Sequence, residues 1–436
     1  MKELSPTSAA AKAGPTDGRR VATASFIGTA IEFYDYYIYG TAAALVLNKM
    51  FFPTLSPIAG TLAALATFAI GFIARPVGAI IFGHYGDRIG RKRTLVVSLL
   101  LMGLSTACIG LLPGFDAIGV AAPILLVTLR VLQGIGLGGE WGGAALLSTE
   151  HAPANKRGLF ASAAQMGSPV GYFVATASFW ALSAWLPDSV FESWGWRIPF
   201  LFSFVLVAVG LRIRLKVAET PAFAEYVSAQ EATKVPLMTV VRRYPKQLLL
   251  GAGAMVVIYV MFYTAATYCL TYTTKTLGIP RNSMLGLTLI AVVVLGVSTF
   301  LVARQSDITG RRKLMLGGAA FGVVWGMVLF PLLDTKNLVL IAIALSGALL
   351  CMGIVYGPIG AFLPELFPTE ARYSGAGLAY NLGGVLGGGI APLLVAKISE
   401  SAGTLAVGLF LSSMALISLL CIMALPETRD RNLQDV

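Results

Sequence analysis

Apolar stretches of about twenty residues or more recur twelve times along this chain, at roughly 22–47, 57–82, 94–113, 119–147, 158–186, 197–215, 246–272, 283–303, 314–333, 337–363, 373–396 and 402–425. A helix needs about 20 such residues to cross the hydrocarbon of a bilayer. A single soluble core could not hide that much apolar surface, so lipid must solvate much of it. Only 12% of the 436 residues are charged, against roughly a quarter in an ordinary soluble domain. The expected class is therefore an all-α membrane protein of twelve transmembrane helices.

The net charge of +11 would suit a nucleic-acid partner if it formed a patch on a soluble domain. Here the charges sit in short runs between apolar stretches, which excludes nucleic acid. With both termini placed in the cytoplasm, 24 of the 32 Lys and Arg fall on the inner side, six on the outer side, and Arg75 and Arg130 lie within spans. This bias orients the chain with both ends inside. Residues 1–20 read as a disordered cytoplasmic tail; the apolar run that follows is too long for a cleavable secretory signal. The expected organisation is a six-helix bundle over 21–215, a cytoplasmic linker over 216–245, a second six-helix bundle over 246–426 and a short tail over 427–436.

The two halves echo each other. Gly83-His84-Tyr85-Gly86-Asp87-Arg88-Ile89-Gly90-Arg91-Lys92-Arg93 follows the second stretch and Ala303-Arg304-Gln305-Ser306-Asp307-Ile308-Thr309-Gly310-Arg311-Arg312-Lys313 the eighth. The pattern Glu-x-x-Pro-x-x-x-Arg runs from Glu150 to Arg157 and again from Glu365 to Arg372, and Glu219-Thr220 is echoed by Glu427-Thr428. Repeats half a chain apart mark parallel halves related about an axis normal to the membrane. Such pseudosymmetry suits a rocking carrier better than a channel.

Ionisable groups inside spans are costly and each needs a partner or a wet passage. The first half holds Glu32, Asp35, Arg75, Arg130 and Glu140; the second holds none well inside a span. Glu32 lies three residues before Asp35, on nearly the same helix face. Two carboxylates that close in low dielectric resist joint ionisation, so one is a natural proton acceptor. Arg75 precedes Pro76 and is either an anion contact or a donor to carbonyls freed by the proline. Glu140 sits among six glycines between 134 and 143, a density that permits close helix contact. Tyr34, Tyr36, Tyr37 and Tyr39 wind round the first span and cannot all face inward. Gln165, Tyr259, Tyr263, Tyr356 and Asn381 add hydroxyl and amide groups for recognition or for interhelical bonds.

The Gly-x-x-x-Asp-Arg-x-Gly-Arg-Lys loop with its weaker second copy resembles the major facilitator superfamily. Within it, the runs Ile31 to Gly40, Ala74-Arg75-Pro76, Arg130 to Ala144, Trp194 to Phe200 and Pro364 to Thr369 resemble the metabolite:proton symporter branch, over about residues 20–430. The resemblance implies a multi-pass protein of the bacterial inner membrane that works as a monomer, without a cofactor, and moves a small organic solute with protons. It places the first and fourth spans on a central cavity, so that Asp35 and Arg130 are available to each other. Protonation of Asp35, or of Glu32, would then release Arg130 to a solute carboxylate, with Arg75 as a second contact and Tyr34, Gln165, Tyr259, Tyr263, Tyr356 and Asn381 around it. The same pair could instead be a fixed tie between spans. The resemblance makes Asp87, Arg88, Arg91, Glu140, Glu150, Arg157, Asp307, Glu365 and Arg372 the gating set, with Asp307 paired to Arg372 in the second copy.

Buried arginines favour a mono- or dicarboxylate, with a zwitterion such as proline or betaine as the alternative. Drug efflux fits a charged cavity poorly. An enzyme would need a nucleophile with a base or a metal cluster, and His84 and His151 serve neither. The glycine run at 387–389 lacks the Lys-Ser or Lys-Thr of a phosphate loop, so energy must come from a gradient. Cys108, Cys269, Cys351 and Cys421 read as small packing residues.

Overall fold

The computed structural model describes residues 15–89, 91–139, 149, 152–216, 236–368 and 371–431. Among these no strand occurs, as expected where backbone groups must bond within their own segment because lipid offers no partners. The main helices are α1 (Pro15–Leu45), α2 (Pro57–Ile89), α3 (Arg91–Leu111), α4 (Ala121–Gly138), α5 (Arg157–Trp185), α6 (Ile198–Lys216), α7 (Pro245–Thr276), α8 (Arg281–Thr309), α9 (Arg311–Asp334), α10 (Leu338–Glu365), α11 (Arg372–Gly384) and α12 (Ala391–Ala424).

Eight helical stretches among the described residues are long and apolar enough to cross a membrane. This is fewer than the twelve windows, for three physical reasons. α1 and α5 are long but diluted by polar side chains such as Glu32, Asp35 and Gln165. The apolar part of α3, Val96–Leu111, is short. The last two windows lie on one stretch, Ser374–Ala424, interrupted by Gly403. Its φ of 79° and ψ of 178° form a break that a residue without Cβ takes at low cost.

α1 packs on α5, α2 on α4 and α3 on α6; later in the chain α8 packs on α10, α9 on α12, and α7 on α11 and α12. Three seams join helices before residue 216 to helices after 245: α5 against α8 and α10, α2 against α11 and the π-helical turn Val385–Ile390, and α1 against the second half of α7. α7 lies deepest, with 83% of its most apolar window buried, against 33% for the Gly195–Ile213 stretch of α6. π-helical turns also interrupt α7 at Thr264–Tyr268 and Tyr272–Thr276, a feature that concentrates at functional sites. Leu405, Leu409, Leu416 and Leu420 are exposed along α12, a stripe of the kind lipid covers.

The glycine run is explained in part. A Cβ at Gly134 would collide with the Gly71 carbonyl, and one at Gly138 with the Arg75 carbonyl. α4 thus lies backbone to backbone on α2, at the level of both buried arginines.

Candidate functional site

Phe68, Phe72 and Arg75 fall at i, i+4 and i+7 on α2 and so share one face. That face meets Tyr36 of α1. The Arg75 guanidinium carbon lies 4.2 Å from the centroid of the Tyr36 ring and 4.3 Å from that of Phe72, and the side chain is 2% exposed. Its Nε and Nη2 are buried with no hydrogen-bond partner. Tyr259 and Tyr263 of α7 close the chamber from the other side of the seam: Phe72 sits 6.0 Å from the Tyr259 ring and 5.1 Å from that of Tyr263. A cavity of about 10 Å³ runs between Arg75, Glu32, Thr29 and Asn381; a second of about 10 Å³ lies among Tyr259, Tyr263, Tyr356 and Ser168, and both touch Phe33 and Tyr380. Each has room for about one water.

Arg130 does not meet Asp35, contrary to the expected pair. Its Nη1 donates to Gln133 Oε1, its Nη2 to the Phe68 carbonyl at 3.2 Å and its Nε to the Thr67 carbonyl at 3.4 Å. Its guanidinium lies 3.8 Å over the Tyr39 ring. Gln133 also donates to the main-chain oxygen of Asp35 at 3.0 Å and to Thr106 Oγ1 at 2.7 Å. The slot for Arg130 exists because residue 71 is glycine; a Cβ there would overlap the guanidinium. Arg130 therefore bolts α4 to α2, and Arg75 is the arginine with unused donors. Asp35 points elsewhere: Ser203 Oγ of α6 donates to its Oδ1 at 2.5 Å, while Oδ2 is buried without a partner. Glu32, one turn from Tyr36, lines the Arg75 cavity instead.

Other expectations change in the same way. Tyr34 donates to the Pro199 carbonyl at 2.9 Å and packs on Phe202, so Tyr36, not Tyr34, is the tyrosine of α1 beside Arg75. Gln165 donates to the Tyr356 carbonyl at 2.9 Å, tying α5 to α10. Asn381 borders the Arg75 cavity and donates to the Gly138 carbonyl at 3.2 Å, tying α11 to the end of α4. Cys108 is exposed on α3, unlike the buried Cys269 and Cys351.

At the arginine-rich end, Asp307 accepts from the main-chain N–H groups of Gly158 at 2.8 Å and Leu159 at 2.9 Å, capping α5 from α8. A carboxylate is favoured there by the unpaired N–H groups and positive dipole of a helix start. Asp307 also pairs with Arg311 at 3.0 Å, not with Arg372. Arg311 forks onto Glu365 through Nε at 2.8 Å and Nη2 at 3.0 Å, and Thr428 donates to the same carboxylate at 2.6 Å. Arg157 reaches the Arg431 carbonyl at 2.8 Å, and Arg372 the Phe367 carbonyl at 3.3 Å. Glu427 caps α9, accepting from Arg311 N and Arg312 N at 3.0 Å each. Burial pushes its carboxyl up, but main-chain N–H groups of Arg311, Arg429, Thr428 and Arg312 outweigh this and hold it below the usual glutamate value. Glu140, Glu150 and the side chains of Asp87, Arg88 and Arg91 lie outside the described residues. At the opposite end, Arg281 of α8 bonds Ser183 Oγ at 2.8 Å and Asp188 Oδ1 at 2.7 Å, and lies 3.8 Å over the Phe191 ring.

Sequence reasoning passed over Tyr36's central place, Phe72, Gln133, Ser203 and Arg311. Two of these carried a readable signal. Gln133 stands one turn after Arg130, and Arg311 occupies the position in the second loop that Arg91 holds in the first. Ser203 carried none, because only the folded chain brings α6 to α1.

Residues 25–392 match the Major Facilitator Superfamily. The chain is 47% identical over 419 residues, 95% of each protein, to the inner membrane metabolite transport protein YhjE of Escherichia coli K12. It is 39% identical to the shikimate transporter of that organism, over 94% of this chain and 95% of the relative. With its proline/betaine transporter the identity is 33%, over 95% and 85%. The proton:xylose symporter XylE bound to 6-bromo-6-deoxy-D-glucose superposes with a TM-score of 0.76 at 18% identity, over 96% of this chain and 98% of that one, which shows the shared fold. The chain belongs to the major facilitator superfamily and is a multi-pass membrane transporter, not an enzyme.

Proposed function

We propose that this chain is a proton-coupled importer of a small organic acid in a bacterial inner membrane, with twelve spans, both termini in the cytoplasm, and two halves, 21–215 and 246–426, that rock about the central chamber. The observation that carries the reading is the Nε and Nη2 edge of Arg75, buried and without a partner among aromatic rings from both sides of a seam. A guanidinium in that setting is poised for an anion. Ties at both ends suit alternating access, in which one end opens while the other stays closed. The charge bias supports the topology.

Asp35 supplies the coupling group in this reading. Its Oδ2 has no donor, and Ser203 holds only Oδ1, so a proton has a place to sit. Asp35 reaches the site through its helix: Tyr36 follows it directly and Gln133 links its main chain to Arg130. Proteoliposomes with an imposed pH gradient, with and without a protonophore, test the function. Labelled acids should accumulate only with the gradient, and Asp35→Asn should exchange solute without accumulating it. Gradient-independent accumulation by the native protein, or full accumulation by that variant, would reject the coupling scheme.

A zwitterionic solute is the second reading. It is favoured by Glu32 and Arg75 lining one cavity and by the relative named for proline and betaine.

A further inference from the structure

We propose, building on the organic-acid reading above, that the site takes a solute with one carboxylate and a hydroxylated body and discriminates against dicarboxylates. Two arginines lie inside the helical stack. Arg130 is committed to Gln133 and to the Thr67 and Phe68 carbonyls. Arg75 keeps Nε and Nη2, the two nitrogens of one guanidinium edge, whose parallel N–H bonds match the two oxygens of one carboxylate. A second carboxylate in that cavity would meet Glu32 instead of a cation. One arginine edge and one neighbouring acid thus set a limit of one carboxylate, with a proton on Glu32 lowering the repulsion as the solute enters.

The adjoining cavity sets the rest of the solute. It is lined by Tyr259, Tyr263, Tyr356 and Ser168 among other uncharged side chains. In this closed form it holds about one water, so a solute meets these side chains only once the halves part; their aromatic faces would then suit a methylated ammonium. However, the hydroxyls of Tyr259 and Tyr356 are buried with no hydrogen bond of normal geometry, as is that of Tyr36 on the Arg75 side. Tyr380 and Ser168 stand beside the first two and Arg130 beside the third, without a hydrogen bond of normal geometry; an N-methylated cation would add no hydrogen bond to these hydroxyls, whereas solute hydroxyls would. The cavity's chemistry therefore favours a compact ring or short chain bearing hydroxyls over a zwitterion.

Titration calorimetry on the purified full-length protein tests this with quinate, shikimate and 3,4-dihydroxybenzoate as hydroxylated monocarboxylates. Cyclohexanecarboxylate serves as a ring acid without hydroxyls, with succinate, 2-oxoglutarate and glycine betaine as the other classes. At least one hydroxylated monocarboxylate should bind about tenfold or more tightly than either dicarboxylate. Arg75→Lys should weaken all monocarboxylates by about tenfold or more, with thermal melting as the check on folding. The shape-conserving pair Tyr259→Phe and Tyr356→Phe should weaken the hydroxylated acid several-fold and leave cyclohexanecarboxylate unchanged. Equal or tighter dicarboxylate binding overturns the one-carboxylate limit and leaves the organic-acid reading standing. An unaltered ratio of hydroxylated to plain acid in the phenylalanine variants overturns hydroxyl recognition. Binding of glycine betaine with no acid at all overturns both the inference and the function on which it rests.

Discussion

Arg75 and Arg130 lie on neighbouring helices, both are almost fully buried, and both stack on Tyr36, yet they differ in how many of their donors the protein uses. Arg130 spends its charge on fixed groups of α2 and α4, so its removal should act first on stability. Gln133→Leu strips the partner from its Nη1 and should cost about 2 kcal/mol, the worth of a buried hydrogen bond to a charged group. This is measurable as a lowered melting temperature in detergent. Arg75 makes no hydrogen bond through Nε or Nη2, so Arg75→Gln should lower the melting temperature less than Gln133→Leu does and abolish uptake. A large loss of stability with solute binding intact would reverse the assignment of the two arginines. That both side chains are buried was readable from their place in apolar spans. Which one is spent on structure was not, since it depends on whether carbonyls of another helix come within 3.5 Å.

Among the elements, helix termini are capped by carboxylates from other segments, and the cap on α5 ties the two parts of the chain together. Asp307 caps α5 and Glu427 caps α9, each from a segment distant in sequence. Glu427→Gln should destabilise the protein by about 1 kcal/mol, as for loss of a helix cap. Because the folded carboxyl titrates below its ordinary value, its contribution is present at neutral pH, above the unfolded value, and is lost as acid takes the pH down through the folded one. The melting-temperature gap between native and Glu427→Gln proteins should thus be full near neutrality and close on strong acidification. A gap that does not depend on pH would show the cap to act through packing alone. At the other end, the Arg281–Asp188 pair has an acid that is 88% exposed, so it is worth at most about 1 kcal/mol. Asp188→Asn should therefore leave stability alone and, in the rocking scheme, shift the balance toward opening at that end by up to about fivefold. Faster thiol labelling of Thr271→Cys, placed beside the Ala44 carbonyl, would report it; an unchanged rate would remove the pair from the gate. The repeated loop motifs were legible as a repeat from their spacing. The partner of Asp307 was misjudged because Arg311, one turn along the chain, and the start of α5 compete for the same carboxylate, and the nearer groups win.

For the whole molecule, lipid solubility, an all-helical build and membership of the family were all written into the order of residues. Apolar runs about twenty residues long can meet the demands of hydrocarbon in no other open form, and the repeated loops carry the family pattern. In the proposed alternating-access scheme the middle must be closed from both ends, a part that the Asp307 cap on α5 and the Arg281–Asp188 pair would play. In that scheme Asp307→Asn, which weakens the cap on α5, should increase access to the chamber from the arginine-rich end. Hydrogen exchange in α11 and in the α10 end near Glu365 should rise with it, while exchange around Arg281 stays the same. The apolar runs and the charge of the loops depend on residues near one another in sequence, so local composition determined them. The bonding of Arg130 to Gln133 and α2 carbonyls, the open edge of Arg75, the placing of Tyr36 rather than Tyr34 beside Arg75 and the seating of Asp35 on Ser203 were decided only by tertiary packing. Each turns on which carbonyl or hydroxyl another helix delivers within bonding distance, and a helix shows the same sequence pattern whichever neighbour it meets.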